Sequence, residues 1–287
     1  MVAFYASILL FSVFSYSQSQ MDTISSYIEM YEYNLALNKL KSLMQDKSED
    51  QLNSQPDYYY NYAKILKGLG KADSSYYYLL KVEPLILSKK NSDSILMLYT
   101  LKAEVSRYDL KKYLTDKNIK VADNFYNKYS DFQFNPNALA YYFNRKAACL
   151  NQFHFGNTDT LKMVIDLSDK VVNLKSKIKD KSLIAYSMNE KAQVFQYHFD
   201  SIKSIDYYKE AFLFADNNNL DVPKVDIAIN LAMNLFRDNK KNNEAIKVLE
   251  DSFPVANKNG QLTQIRDVAM HLSFLYSEKG LYKLALK

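Results

Sequence analysis

The sequence predicts an all-α fold built from antiparallel helix pairs, and three observations lead to it. A small residue recurs at Ala63, Ala103, Ala147, Ala192, Ala232 and Ser273, with separations of 40, 44, 45, 40 and 41 residues. Self-similarity at a period of roughly 20 to 50 residues marks stacked supersecondary units, none of which can bury its apolar face alone. Around each small residue, mostly apolar or aromatic side chains stand four before, one before and three after, a spacing that lines one stripe of an α-helix. Twelve or so residues further on a second helix enters in phase, led in most units by another small residue.

In chain order the first helices carry Tyr59, Tyr62, Ala63 and Leu66; Tyr99, Lys102, Ala103 and Ser106; Phe143, Lys146, Ala147 and Leu150; Met188, Lys191, Ala192 and Phe195; Ala228, Leu231, Ala232 and Leu235; and Ala269, Leu272, Ser273 and Tyr276. The three lysines depart from the apolar stripe, and their alkyl stems are expected to pack while the ammonium reaches water. The second helices are led by Ser75, Thr115, Ser204 and Ala285, with Leu161 and Ala245 displaced by two residues and one. Small residues on both helices suit a close antiparallel crossing, because bulk there would push the axes beyond the usual 8 to 10 Å or so. Gly70 and Gly280 fall seven residues after Ala63 and Ser273, where a first helix would end in a left-handed cap. Asp200 and Asn242 occupy comparable turns, and Pro56, Pro136 and Pro223 stand at the entries to first helices, where a missing N–H is harmless. A half-match at Ile24 to Tyr27, followed by Ala36, Leu40 and Leu43, suggests one more unit at the front.

The pattern resembles the tetratricopeptide repeat. The stretch Tyr59 to Val82 matches best, with Tyr59, Tyr62, Ala63, Leu66, Gly70, Ser75, Leu79 and Val82 at motif positions, and Leu272 to Ala285 matches nearly as well. The resemblance implies a right-handed α-solenoid over roughly residues 20–287, with units of 40 to 45 residues that need longer helices or linkers than the standard repeat. HEAT or armadillo units, which share the longer period, are the alternative.

The chain opens with Met1 to Tyr16, an apolar run with no charge before Asp22, and Ser15, Tyr16 and Ser17 offer a small-x-small cleavage site. Residues 1–19 therefore read as a secretory signal peptide, although no Lys or Arg precedes the apolar run; an uncleaved anchor or a buried amphipathic helix are the other readings. The expected location is exported and periplasmic. At the other end the chain stops at Lys287, two residues after Ala285, so the last repeat reads as truncated and the protein is expected to continue. Net charge is +5 with both signs mixed throughout, an ordinary solvated surface, and no basic face suggests nucleic-acid binding. The densest basic run, Lys170 to Lys181, is expected to be an exposed linker. The sole cysteine, Cys149, is expected to be buried and free.

No reaction is legible. His154, His198 and His271 are the only histidines and lack a second ligand at metal spacing, and five glycines form no phosphate cradle. No catalytic residue, metal or cofactor is expected. Tyrosine is conspicuous, at Tyr58 to Tyr60, Tyr76 to Tyr78, Tyr141 to Tyr142 and Tyr207 to Tyr208, either as interhelical packing or as an aromatic recognition surface. In the family it resembles, first helices line a concave groove. By register that places Tyr60, Lys64, Lys67, Glu104, Arg107, Asn144, Ala148, Asn151, Asn189, Gln193 and Gln196 in the groove, with the amides suited to an extended peptide backbone. The partner is thus expected to be a protein or peptide, with membrane contact only through the leader or a downstream span. The combination also resembles the periplasmic sensor half of Bacteroidota signalling regulators, which implies an interaction module in signal transduction; a stand-alone periplasmic scaffold or assembly factor is the alternative.

Overall fold

The computed structural model describes residues 20–45, 47–129, 132–237, 241–260 and 262–286, so the expected leader at 1–19 lies outside the described residues. The chain divides into two compact units, Met1–Gln133 and Phe134–Lys287. Unit 1 holds α1 (20–29), α2 (Tyr33–Gln45), the short α3 (Glu49–Ser54), α4 (Asp57–Gly68), α5 (Ala72–Lys89), α6 (Ser92–Tyr108) and α7 (Lys112–Lys128). Unit 2 holds α8 (Pro136–Phe153), α9 (Thr158–Asn173), α10 (Ser182–Val194) with a π turn (Phe195–Phe199), α11 (Ser201–Asn217), α12 (Asp221–Arg237), α13 (Asn242–Asn259), α14 (Leu262–Glu278) and α15 (Tyr282–Ala285). No strand occurs among the described residues, and the fold is the predicted all-α array of tetratricopeptide-like helix pairs. No helix among them is long and apolar enough to cross a membrane.

The recurring small residues sit where the paired helices cross. Ala63, Ala103, Ala147, Ala192 and Ala232 are fully buried, as are Ser75, Thr115, Ser204 and Ala245 on the second helices. In the first of these pairs the Ser75 hydroxyl donates to the Ala63 carbonyl at 2.7 Å, and in the last the Ser273 hydroxyl donates to the Ala285 carbonyl at 2.7 Å. The same twelve-residue step is thus closed from either side. The long repeat period resides in the helices, because the second helices α5, α7, α9, α11 and α13 run for 16 to 18 residues. Two of them continue through an internal proline, Pro84 in α5 and Pro254 in α13.

The turns follow the expected chemistry at some pairs and depart at others. Gly70 and Gly280 both adopt φ of 72°, and the next amide closes back onto the helix, Lys71 onto Leu66 and Leu281 onto Tyr276, each at 2.8 Å. Between α6 and α7 the same closure is made with a leucine, Leu110 at φ 54°. After α10 the equivalent position is Phe199, and the chain obtains the long-range closure differently, by widening into the π turn so that the Asp200 amide reaches the Phe195 carbonyl at 2.9 Å. Asp200 then caps α11 with its carboxylate on the Ile202 and Lys203 amides. Pro136 is the first residue of α8, whereas Pro223 lies inside the first turn of α12 instead of ahead of it, where its missing N–H is still unneeded.

Two expectations are corrected. The ammonium groups of Lys102 and Lys191 do not run out to water; they meet carboxylates of the preceding second helix, Glu83 at 2.9 Å and Asp169 at 2.8 Å. The stretch from Lys170 to Lys181 is the expected linker only from residue 174 on, and there with one buried side chain. Its first four residues complete α9 with Val171 buried, and Ile178 is buried again, because apolar side chains interleave the lysines.

Relieving the left-handed leucine should help: Leu110→Gly is expected to raise stability by about 0.5–1 kcal/mol in urea denaturation, because strain at an exposed site is removed. Gly68→Ala is expected to act in the opposite sense, since a Cβ there would collide with the Tyr33 ring; a loss of about 1–2 kcal/mol should appear as a lower midpoint.

Candidate functional site

In unit 1 the first-helix residues singled out by register come together around one buried acid. Glu104 on α6 is fully buried, and Lys67 on α4 donates to it at 3.0 Å. The Lys67 ammonium also lies 5.8 Å from the centre of the Tyr108 ring, over which the Arg107 guanidinium sits at 4.7 Å. Tyr60 is half-buried, and burial together with the Glu104 and Asp57 charges pushes its hydroxyl well above the usual phenol range. Tyr33, which packs over Gly68, is raised by burial to about 12, with Lys67 opposing the shift. Lys64 is half-buried on the same helix. The result is a patch of cations and tyrosines in which Lys67 pairs with the buried Glu104.

In unit 2 the amides chosen by register are taken up in hydrogen bonds, most of them between neighbouring first helices. Asn144 on α8 is 1% exposed, and its Nδ2 donates to the Ser187 hydroxyl at 2.9 Å and the Leu183 carbonyl at 3.4 Å on α10. Asn151 donates to Glu190 at 2.8 Å and to Gln193 at 3.0 Å. Asn189 on α10 is buried and accepts from Asn230 on α12 at 3.0 Å. Gln196 falls in the π turn, buried, accepting the Tyr208 hydroxyl at 2.6 Å. Ala148 is buried too. Asn151 and Gln193 therefore keep a half-exposed position on the face, while Asn144, Asn189 and Gln196 lie beneath it.

The next part of this ladder lies outside the residues placed in the groove by register. Tyr186 on α10 donates to Asp226 on α12 at 2.8 Å, and Gln264 on α14 donates to the other Asp226 oxygen at 2.7 Å and to the Val222 carbonyl at 2.9 Å. Burial of the carboxyl raises its pKa above the usual carboxylate range, with the two hydrogen bonds opposing and Asp267 adding to the rise. A signal was available, since Tyr186 and Asp226 each stand six residues before a recurring small residue, on the same face as the amides. The tyrosine clusters divide as well: Tyr58, Tyr59, Tyr142 and Tyr208 are core, while Tyr77 is largely exposed.

The architecture is the point of contact with known proteins. No protein-family model matches the chain, and no curated protein matches its sequence. Several solved structures do. The fold is tetratricopeptide-like. A signal transduction ATPase with numerous domains that carries a tetratricopeptide repeat sensor, PH0952 from Pyrococcus horikoshii, is 16% identical with a TM-score of 0.64 over 91% of this chain. The present chain spans 38% of that protein's length. NprR in complex with its cognate peptide NprX is 14% identical, TM-score 0.67, covering 93% of this chain and 75% of NprR. A Rap protein complexed with Competence and Sporulation Factor is 12% identical, TM-score 0.57, covering 94% of each chain.

Removing the buried amide at α8 should loosen the first-helix layer: Asn144→Ala is expected to lose about 1–3 kcal/mol, read as a lower melting temperature. Asp226 gives a pH signature. Its folded pKa lies above its unfolded one, so its ionised form weakens the fold, and that penalty grows as pH rises from the ordinary carboxylate range through the folded pKa. Asp226→Asn should therefore gain stability over wild type at neutral pH, and the advantage should shrink on acidification toward pH of about 4.

Proposed function

We propose that the chain is a non-catalytic peptide- or protein-interaction module, serving as the extracytoplasmic sensor portion of a larger signalling protein. The observation that supports this most is the first-helix face of unit 2, where α8, α10, α12 and α14 set amide, tyrosine and carboxylate groups side by side. Groups that both donate and accept suit the alternating N–H and C=O of an extended peptide. Among the neighbours in fold, NprR holds its cognate peptide NprX, a Rap protein holds Competence and Sporulation Factor, and the PH0952 protein carries its repeats as a sensor. The uncharged apolar start of the chain supports export.

Ligand contact is assigned to Tyr60, Lys64, Lys67 and Arg107 in unit 1, where the fully buried Glu104 holds Lys67 from beneath, and to Asn151 and Gln193 in unit 2. Asn144, Asn189 and Gln196 support the latter from below, by fixing the spacing of α8, α10 and α12 and the turn after α10.

Fluorescein-labelled pools of randomised hexapeptides test the reading by anisotropy. Saturable binding at micromolar concentration is expected, weakened about tenfold by the double change Asn151→Ala and Gln193→Ala, a difference of about 1.4 kcal/mol. Absence of saturable binding from every pool would overturn the peptide reading. The export part is checked by fusing residues 1–30 to alkaline phosphatase, for which envelope activity is expected and cytoplasmic retention is the contrary result.

A further inference from the structure

Within unit 2 several acids hold a cation, and Asp226 does not. Lys191 pairs with Asp169, Lys209 with Glu244, Lys258 with Asp221 and Arg266 with Asp267. Lys224, two residues before Asp226 on α12, pairs with Asp216. Asp226 instead rests on two neutral donors, the Tyr186 hydroxyl and the Gln264 amide, one from each flanking first helix. An enclosed carboxylate without a countercharge is unfavourable, and neutral hydrogen bonds offset only part of that. Gln264 is 6% exposed, and while its Nε2 is held by Asp226, the Oε1 of the same amide is buried with no hydrogen-bond partner. A carboxylate and an amide oxygen thus adjoin one another with acceptor capacity in excess of their donors. Asp226 itself keeps a partial opening to solvent.

The same stripe of α12 continues to Asn230 and Met233, and Met270 and Phe274 stand exposed beside it on α14, with Phe274 set edge-on against Phe236 at 5.1 Å. Met233 lies two turns from Asp226, about 10 Å along the helix. An extended peptide covers that distance in about three residues.

We infer that Asp226, steadied by Tyr186 and Gln264, receives the cationic group of the peptide ligand, an ammonium or guanidinium whose chain carries an apolar side chain about three residues away for the Met233 and Phe274 shelf. This rests on the peptide reading and specifies its ligand. An arriving cation supplies the missing countercharge and a donor for the Gln264 oxygen.

The test uses the full chain and two labelled hexapeptides that contain Lys-Ser-Gly-Leu, one with free lysine and one with Nε-acetyl-lysine. Wild type is expected to bind the lysine peptide at least tenfold more tightly. Asp226→Asn, which should remain folded at neutral pH, is expected to reduce the preference below twofold. Asp267→Asn, whose carboxylate is already paired with Arg266, should keep it. Equal binding of both peptides by wild type, binding of neither, or retention of the preference in Asp226→Asn would overturn the assignment. Saturable binding of the randomised pools in those cases leaves the peptide reading standing, and its loss removes both.

Discussion

The close crossing of each helix pair at a small residue is the constraint from which the remaining structure follows. With Ala63 against Ser75, or Ala232 near Ala245, no side chain separates the two backbones, so the axes approach and the flanking aromatic and aliphatic groups interdigitate. Each pair then presents its second-helix residues to the next pair, and burial accumulates along the unit. In unit 2 this produces a continuous core from Ala185 through Tyr208, Leu231 and Leu249 to Leu275. Turn geometry is subordinate to that packing. A left-handed glycine, a strained leucine and a π turn all serve to reverse the chain, because the crossing that follows holds whichever is present.

Packing first helices side by side leaves polar residues facing one another at short range, and the two units meet that demand differently. Unit 2 uses amides, Asn144 with Ser187, Asn151 with Gln193 and Glu190, Asn189 with Asn230, and Gln264 with the Asp226 carboxylate. Unit 1 uses a buried ion pair, Lys67 with Glu104, enclosed by tyrosines. An amide ladder fixes the register of neighbouring helices without burying a charge pair, although the Asn144 Oδ1 and the Gln264 Oε1 are left without a partner, whereas an ion pair depends on its surroundings being complete. The two faces therefore differ in chemical character, cationic and aromatic in unit 1, amide and acidic in unit 2.

That difference bears on function more than the fold does, since helical repeats host many roles and resemblance at 12 to 16% identity speaks to architecture. A peptide laid along the unit 2 layer would meet half-exposed amides at α8 and α10 and a carboxylate at α12. The ladder beneath them fixes the spacing of the helices that carry those groups.

Sequence periodicity alone determined that the chain forms helix pairs, where each first helix lies, and that Gly70 and Gly280 end two of them, because small residues and left-handed caps act over a few residues and leave a local mark. Asp226 shows where that ends. Its hydrogen bonds come from residues 40 before it and 38 after it, and neither partner differs in type from an ordinary surface residue. The burial of Asn144 and Asn189, the carboxylate partners of Lys102 and Lys191, and the π turn after α10 were likewise decided by tertiary structure. In each case the energy depends on which group a neighbouring helix places opposite, and that distance is set only when the pairs stack.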